Sequence, residues 1–214
     1  MPHFRLLDAD FLVNYIRTLS LVQVYELTIN TKIAHFCDHC PYELVTTKHV
    51  ETEVNNKIGY RHPTNHDEFF KSKKSEEQKI KREIFKNIRV IDIRNNNLME
   101  SLQSSWPRNP GEQSLVVLLS SKYADFANSS TNSVRIISNN SKDIYPPLRM
   151  VKQLNDRLAK MDETEIVESN HDFYHDLFTH LHYEKPFKNY FYFVSNIDAR
   201  VYDKNKVNRI ITRD

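Results

Sequence analysis

"FRLLDADFLV", residues 4–13, changes periodicity half-way along. Phe4 to Asp8 reads as a short apolar strand that ends on an acid, after which Phe11, Leu12, Tyr15, Ile16 and Leu19 recur at helical spacing. A strand therefore feeds a helix through a very short turn. The same step returns at "RVIDI" (residues 89–93), followed by a helix over "NNNLMESLQSSW" (95–106). A third strand, "SVRIIS" (133–138), is closed by the polar loop "NNSKD". Strands alternating with helices, with β-branched runs that look buried on both faces, predict an α/β fold with a central parallel sheet under helical layers.

Between these landmarks the helical spacing after Asp8 continues unevenly to about Ile33. "YELVTTKHVETEVNNKIG" (42–59) opens on an apolar run and then places Val50 and Val54 four apart, with Glu53 between them, Thr47 as cap and Gly59 as stop. "KSKKSEEQKIKREIFKNIR" (71–89) holds eight Lys or Arg against three Glu and reads as an exposed helix. After a break at Pro107 to Pro110, an apolar helix runs from Gln113 to Asn128. It is preceded by Gly111, one of only two glycines, whose backbone freedom is expected to turn the chain sharply and deliver Glu112 at the helix start. Past Pro146 and Pro147 the character changes. Leu148, Val151, Leu154, Leu158 and Met161 make an amphipathic helix, "HDFYHDLFTHLH" (171–182) a second, and "YFYFVSNI" (190–197) an aromatic strand-like run. The expected division is residues 1–147 as the α/β domain, with 148–214 as an extension packed on it.

Composition bounds the function. The chain of 214 residues suits one α/β domain with an appendage, and 39% hydrophobic with 27% charged residues excludes a disordered class. A net charge of +2, from 30 basic and 28 acidic residues, does not by itself announce a nucleic-acid binder. No apolar run reaches the ~18 residues of a membrane span, and the aspartates near the start do not suit a signal peptide, so a cytoplasmic protein is expected. Cys37 and Cys40, in "HFCDHC" with His35 and His39, offer zinc donors too crowded to surround one ion easily; a reduced loop is the simpler reading. His171 and His175, and His180 and His182, lack the Glu of a zinc-protease helix and are read as ordinary histidines. There is no glycine-rich phosphate loop and no nucleophile elbow.

The acids carry the chemistry. In an open parallel sheet ligands gather beyond the carboxyl ends of the strands. Asp8 closes the first strand, Glu112 opens the helix between the second and third, and Asp143 follows the third by five residues. Glu53 joins them if its helix runs along the same edge. Each has a plainer role: Asp8 as helix cap, Glu112 as partner of a helix dipole, Glu53 on a solvated face. Converging carboxylates repel unless a cation neutralises them, which points to Mg²⁺ or Mn²⁺. Asp10 is a substitute ligand or a supporting group.

The order "LLDADFLV", "TTKHVETEV", "VIDI…PGEQSLVVLLSSKYA", "VRIISNNSKD" resembles the PIN-domain nucleases over roughly residues 4–145. The resemblance implies a PIN-like three-layer α/β/α domain and a metal-dependent nuclease, acting on RNA rather than DNA. It makes Asp8, Glu53, Glu112 and Asp143 both the metal ligands and the catalytic residues. Ser138, Asn139 and Asn140 stand where many members carry Thr and an Asp-containing pair, though Asn140 followed three residues later by Asp143 matches some toxin-type members. Lys73, Lys74, Lys79, Lys81, Arg82 and Asn140 are the candidate substrate contacts, against the plainer reading of a solvated helix. Tyr190 to Phe193 would stack bases or, more simply, fill a buried strand face. The alternative function is a catalytically silent PIN-like module that binds RNA or a protein partner; an unrelated α/β interaction protein whose acids are caps is the third reading. Besides RNA, the expected partners are another protein or further copies of the chain in a homo-oligomer.

Overall fold

The computed structural model describes residues 3–21, 42–58, 68–127, 134–170 and 172–173. Five strands, β1 (His3–Leu7), β2 (Tyr42–Thr47), β3 (Arg89–Ile91), β4 (Val134–Ile137) and β5 (Val167–Glu168), form one sheet in the order β3-β2-β1-β4-β5. Every pairing is parallel; Leu6 stands opposite Val45 on one side and Ile136 on the other. The described helices are α1 (Ala9–Leu21), α2 (Lys48–Lys57), α3 (Glu68–Asn87), α4 (Asn97–Ser105), α5 (Pro110–Leu118), α6 (Ala124–Ala127), α7 (Ser141–Leu154), α8 (Asp156–Ala159) and α9 (Glu163–Ile166). The expected α/β fold with a central parallel sheet is therefore present. Among the described residues no helix is long and apolar enough to cross a membrane.

The described residues fall into two compact units. One takes residues 3–12, 42–54 and the described residues from 88 to 173, and the other takes 13–21, 55–58 and 68–87. In the first unit β1 is buried on both faces. Phe4 meets Tyr123 and Phe126, with ring centroids 4.7 and 4.8 Å away. Arg5, on the opposite face by strand alternation, lies over the Tyr42 ring at 4.1 Å and pairs with Glu168 at 3.1 Å. Both charged groups are buried, and Arg135 approaches Glu168 from 3.9 Å. Helix α5 is buried from Gly111 to Leu118, the mark of a helix inside a layered core. A π-helical turn over Leu119–Tyr123 re-phases it before α6. Leu6, Val45 and Ile136 of the sheet and Leu115 and Val117 of α5 are fully buried, each such side chain contributing about 1.5–3 kcal/mol.

Three differences from the sequence reading concern the site. The apolar run after Pro41 is strand β2, which ends on Thr47; as expected, Thr47 caps α2, its Oγ1 accepting the Val50 N–H at 3.3 Å. "NNSKD" does not form a loop: α7 starts at Ser141, so Asp143 sits in a helical first turn. That helix also contains Pro146 and Pro147 and runs across position 147. The first unit continues beyond it through β5 to Phe173.

In the second unit α3 buries Glu77, Ile80 and Ile84 along one stripe and exposes Lys74, Lys79, Arg82 and Lys86. The Lys81 ammonium donates to Asn55 Oδ1 at 2.6 Å, and Lys86 pairs with Glu83. Lys73 lies on α3 with its side chain outside the described residues. So do Cys37, Cys40, His35, His39, Gly59, His171, His175, His180, His182 and the aromatic run 190–193 in their entirety.

Candidate functional site

The chain runs outward from β1 to β2 and β3, then returns to lay β4 on the other side of β1. Such a reversal leaves a crevice beyond the carboxyl ends of the two strands where the direction switches. Asp8 stands there, directly after β1. Its backbone N–H donates to the Ile137 carbonyl of β4 at 3.1 Å, and the Thr46 hydroxyl of β2 donates to the Leu7 carbonyl at 2.8 Å. The position is fixed from both neighbouring strands.

Asp8 is also the cap residue of α1, since its carbonyl accepts the Leu12 N–H at 3.1 Å. Its side chain does more than cap. Oδ1 accepts the Ala9 N–H at 2.7 Å, while Oδ2 accepts the Ser138 hydroxyl at 2.6 Å, across from β1 to the end of β4. An ordinary capping carboxylate is stabilised in its charged form by the helix dipole. Here the opposite holds. Burial, at 2% exposure, together with the charges of Glu112 and Asp10, pushes the Asp8 carboxyl up to about 8 against the hydrogen bonds from Ser138 and Ala9.

Glu112 enters from the first turn of α5 and is buried as well. Burial raises its carboxyl above the usual range, and the charges of Glu53 and Asp10 add to that. Its own N–H and the Asn140 amide oppose the shift. Asn140 is the connecting group. Its Nδ2 donates to Glu112 Oε1 at 2.9 Å and to Asp143 Oδ2 at 2.5 Å, bridging α5 to the first turn of α7.

Glu53 arrives on α2 through a close approach. A Cβ placed on Gly111 would lie 2.7 Å from Glu53 Oε2 and 3.6 Å from Val50 Cγ2. This corrects the reason expected for the glycine. The positive φ before α5 belongs to Asn109, at 57°, and Gly111 serves by having no side chain where α2 crosses. A chain of hydroxyls locks the crossing: Val50 N–H donates to Thr47 Oγ1, which shares a 2.5 Å bond with Ser114 Oγ, which donates to the Gly111 carbonyl at 2.6 Å. Ser114 has one proton and spends it on Gly111, so Thr47 is the donor between the two hydroxyls.

The site therefore gathers Asp8, Glu53, Glu112 and Asp143 from four segments, with Asp10 acting on Asp8 and Glu112 through its charge. Their oxygens are the hard donors that suit Mg²⁺ or Mn²⁺. Among the described residues, however, no three His, Cys, Asp or Glu side chains stand close enough to hold an ion. The Asn140 amide meets part of the charge that a cation would neutralise. Ser138 and the bridging role of Asn140 were not foreseen. Ser138 occupies on β4 the place that Asp8 occupies on β1, a signal readable once the two strands are known to be neighbours. Compared with family models, with curated proteins and with solved structures, the chain matches none.

Proposed function

We propose that the protein is a PIN-like nuclease that hydrolyses phosphodiester bonds in RNA with Mg²⁺ or Mn²⁺ held by Asp8, Glu53, Glu112 and Asp143. The observation that carries this reading is the buried Asp8 carboxyl, pushed up to about 8 beside Glu112 at the switch between β1 and β4. Two buried acids side by side destabilise a fold unless a bound cation later uses them. A divalent cation in this crevice would supply an activated water and stabilise the leaving oxygen.

The chain's own groups have definite tasks in such a reaction. Asp8, once deprotonated, would serve as a ligand, and Ser138 keeps Oδ2 aimed across the strand ends. Asn140 holds Glu112 and Asp143 together through its amide. Gly111 and the Thr47–Ser114 pair fix how near Glu53 comes. The exposed cations of α3, Lys74, Lys79 and Arg82, suit a phosphate backbone and would make RNA binding sensitive to salt. Incubation of mixed RNA with Mn²⁺ tests the proposal: the wild type cuts and Asp8→Asn and Glu112→Gln do not. Equal cleavage by all three would refute it.

One observation favours a second reading. The Asn140 amide satisfies Glu112 and Asp143 together without an ion. In a silent PIN-like binding module that bridge would be permanent, and RNA or a protein partner would be retained in Mn²⁺ and never cut.

A further inference from the structure

We propose that Trp106 is a stacking platform for a base of single-stranded RNA beside the crevice, an inference that rests on the nuclease reading for the identity of the ligand. Trp106 is the only tryptophan of the chain and is 39% exposed. With Leu154 it is one of two exposed large hydrophobic side chains among the described residues. It follows α4 on the loop that leads directly into Gly111 and Glu112.

That loop is built to stay in place. The Trp106 N–H donates to the Leu102 carbonyl at 2.8 Å, and the buried Gln113 amide donates to the carbonyls of both Trp106 and Arg108, the latter at 2.7 Å. The Gln113 N–H in turn reaches the Asn109 carbonyl at 3.3 Å. Pro107 and Pro110 restrict the backbone on either side of Arg108 and Asn109. The residue that pins the loop is thus the one immediately after Glu112. Among the described residues the indole has no ring contact and no hydrogen-bond partner, so it stands open on a fixed loop.

Arg108 gives the contact its chemistry. It is exposed, two residues from the indole, and has no hydrogen-bond or ion-pair partner for its guanidinium among the described residues. An aromatic face with an unpaired cation two residues along the same loop fits a base and its phosphate, and stacking tolerates any base sequence. A duplex keeps its bases stacked on one another and offers no free face, so the platform selects single strands.

The indole reports on itself. The full-length protein is titrated in EDTA with a short single-stranded RNA of mixed sequence, and with the corresponding duplex, while tryptophan emission and RNA anisotropy are followed. The expected result is saturable quenching by the single strand and none by the duplex. Trp106→Ala should weaken binding by roughly 5- to 150-fold, and Trp106→Phe should restore most of it. RNA bound with unaltered emission, or bound equally by Trp106→Ala, would overturn the platform. So would loss of self-association in Trp106→Ala with RNA affinity intact, which would make this a protein contact. Quenching without any cleavage in Mn²⁺ sinks the nuclease reading and leaves the platform standing; cleavage without quenching does the reverse. No RNA binding at all removes both.

Discussion

Replacing Asp8 by Asn should stabilise the metal-free protein at neutral and alkaline pH. The folded carboxyl titrates at about 8 against 3.8 in the unfolded chain. Because the folded value is the higher one, the folded state keeps a proton that the unfolded state has already lost between those two pH values. Stability from this group is therefore complete below about pH 3.8 and falls as pH rises toward 8. A gap of about four pH units at about 1.4 kcal/mol each makes the total loss on the order of 5 kcal/mol, of which roughly 4 kcal/mol is gone by pH 7. An Asn at position 8 keeps an oxygen for the Ala9 N–H and never ionises. Denaturant unfolding in EDTA should accordingly show Asp8→Asn close to the wild type near pH 4 and more stable by several kcal/mol near pH 8. Mn²⁺ should narrow the gap by stabilising only the wild type. An Asp8→Asn that is less stable than the wild type at pH 8, or a difference that does not change with pH, would refute this account of the crevice.

Gly111→Ala separates geometry from stability: the new Cβ meets the movable end of Glu53, so the melting temperature should hold or rise, helix propensity favouring Ala by up to about 1 kcal/mol. Cleavage should fall roughly tenfold or more, a displacement of about an ångström being worth up to about a hundredfold; full activity would show that Glu53 takes no part. In the wild type Mn²⁺ should raise the melting temperature in calorimetry, and in Glu112→Gln it should not; an equal rise in both would place the ion elsewhere. Glu168→Gln, which leaves Arg5 buried with a neutral partner, should cost about 3–5 kcal/mol in urea unfolding while cleavage per folded molecule stays unchanged. A drop in cleavage without loss of stability would give Glu168 a part in the site.

The strand-to-helix step at residues 4–13 was legible because burial on both faces leaves an unbroken apolar run, and the helix after it repeats every three or four residues. Strand β2 was not, because Thr47 ends the strand and caps α2 with no residue between them. Strand β5 is only two residues long, too short for any period to register. "NNSKD" looked like a loop because Asn, Ser and Asp favour turns. Asn140 instead precedes the helix without capping it, its amide turned to Glu112 and Asp143. The order of the acids could be read along the chain, but the contacts that tune them could not. The space beside Gly111 is filled by a carboxylate from another helix, and Ser138 reaches Asp8 from a strand 130 residues away.

Pro146 and Pro147 in α7 bear on how Asp143 is held. Neither residue has an N–H, so neither the third nor the fourth position after Asp143 can donate to its carbonyl, and the Lys142 carbonyl loses its usual donor as well. Two rungs are missing from the backbone ladder directly behind the turn that carries Asp143. That turn is held instead by the Asp143 N–H, which donates to the Asn140 carbonyl at 3.0 Å, and by the Asn140 amide, the tether between its acid and Glu112.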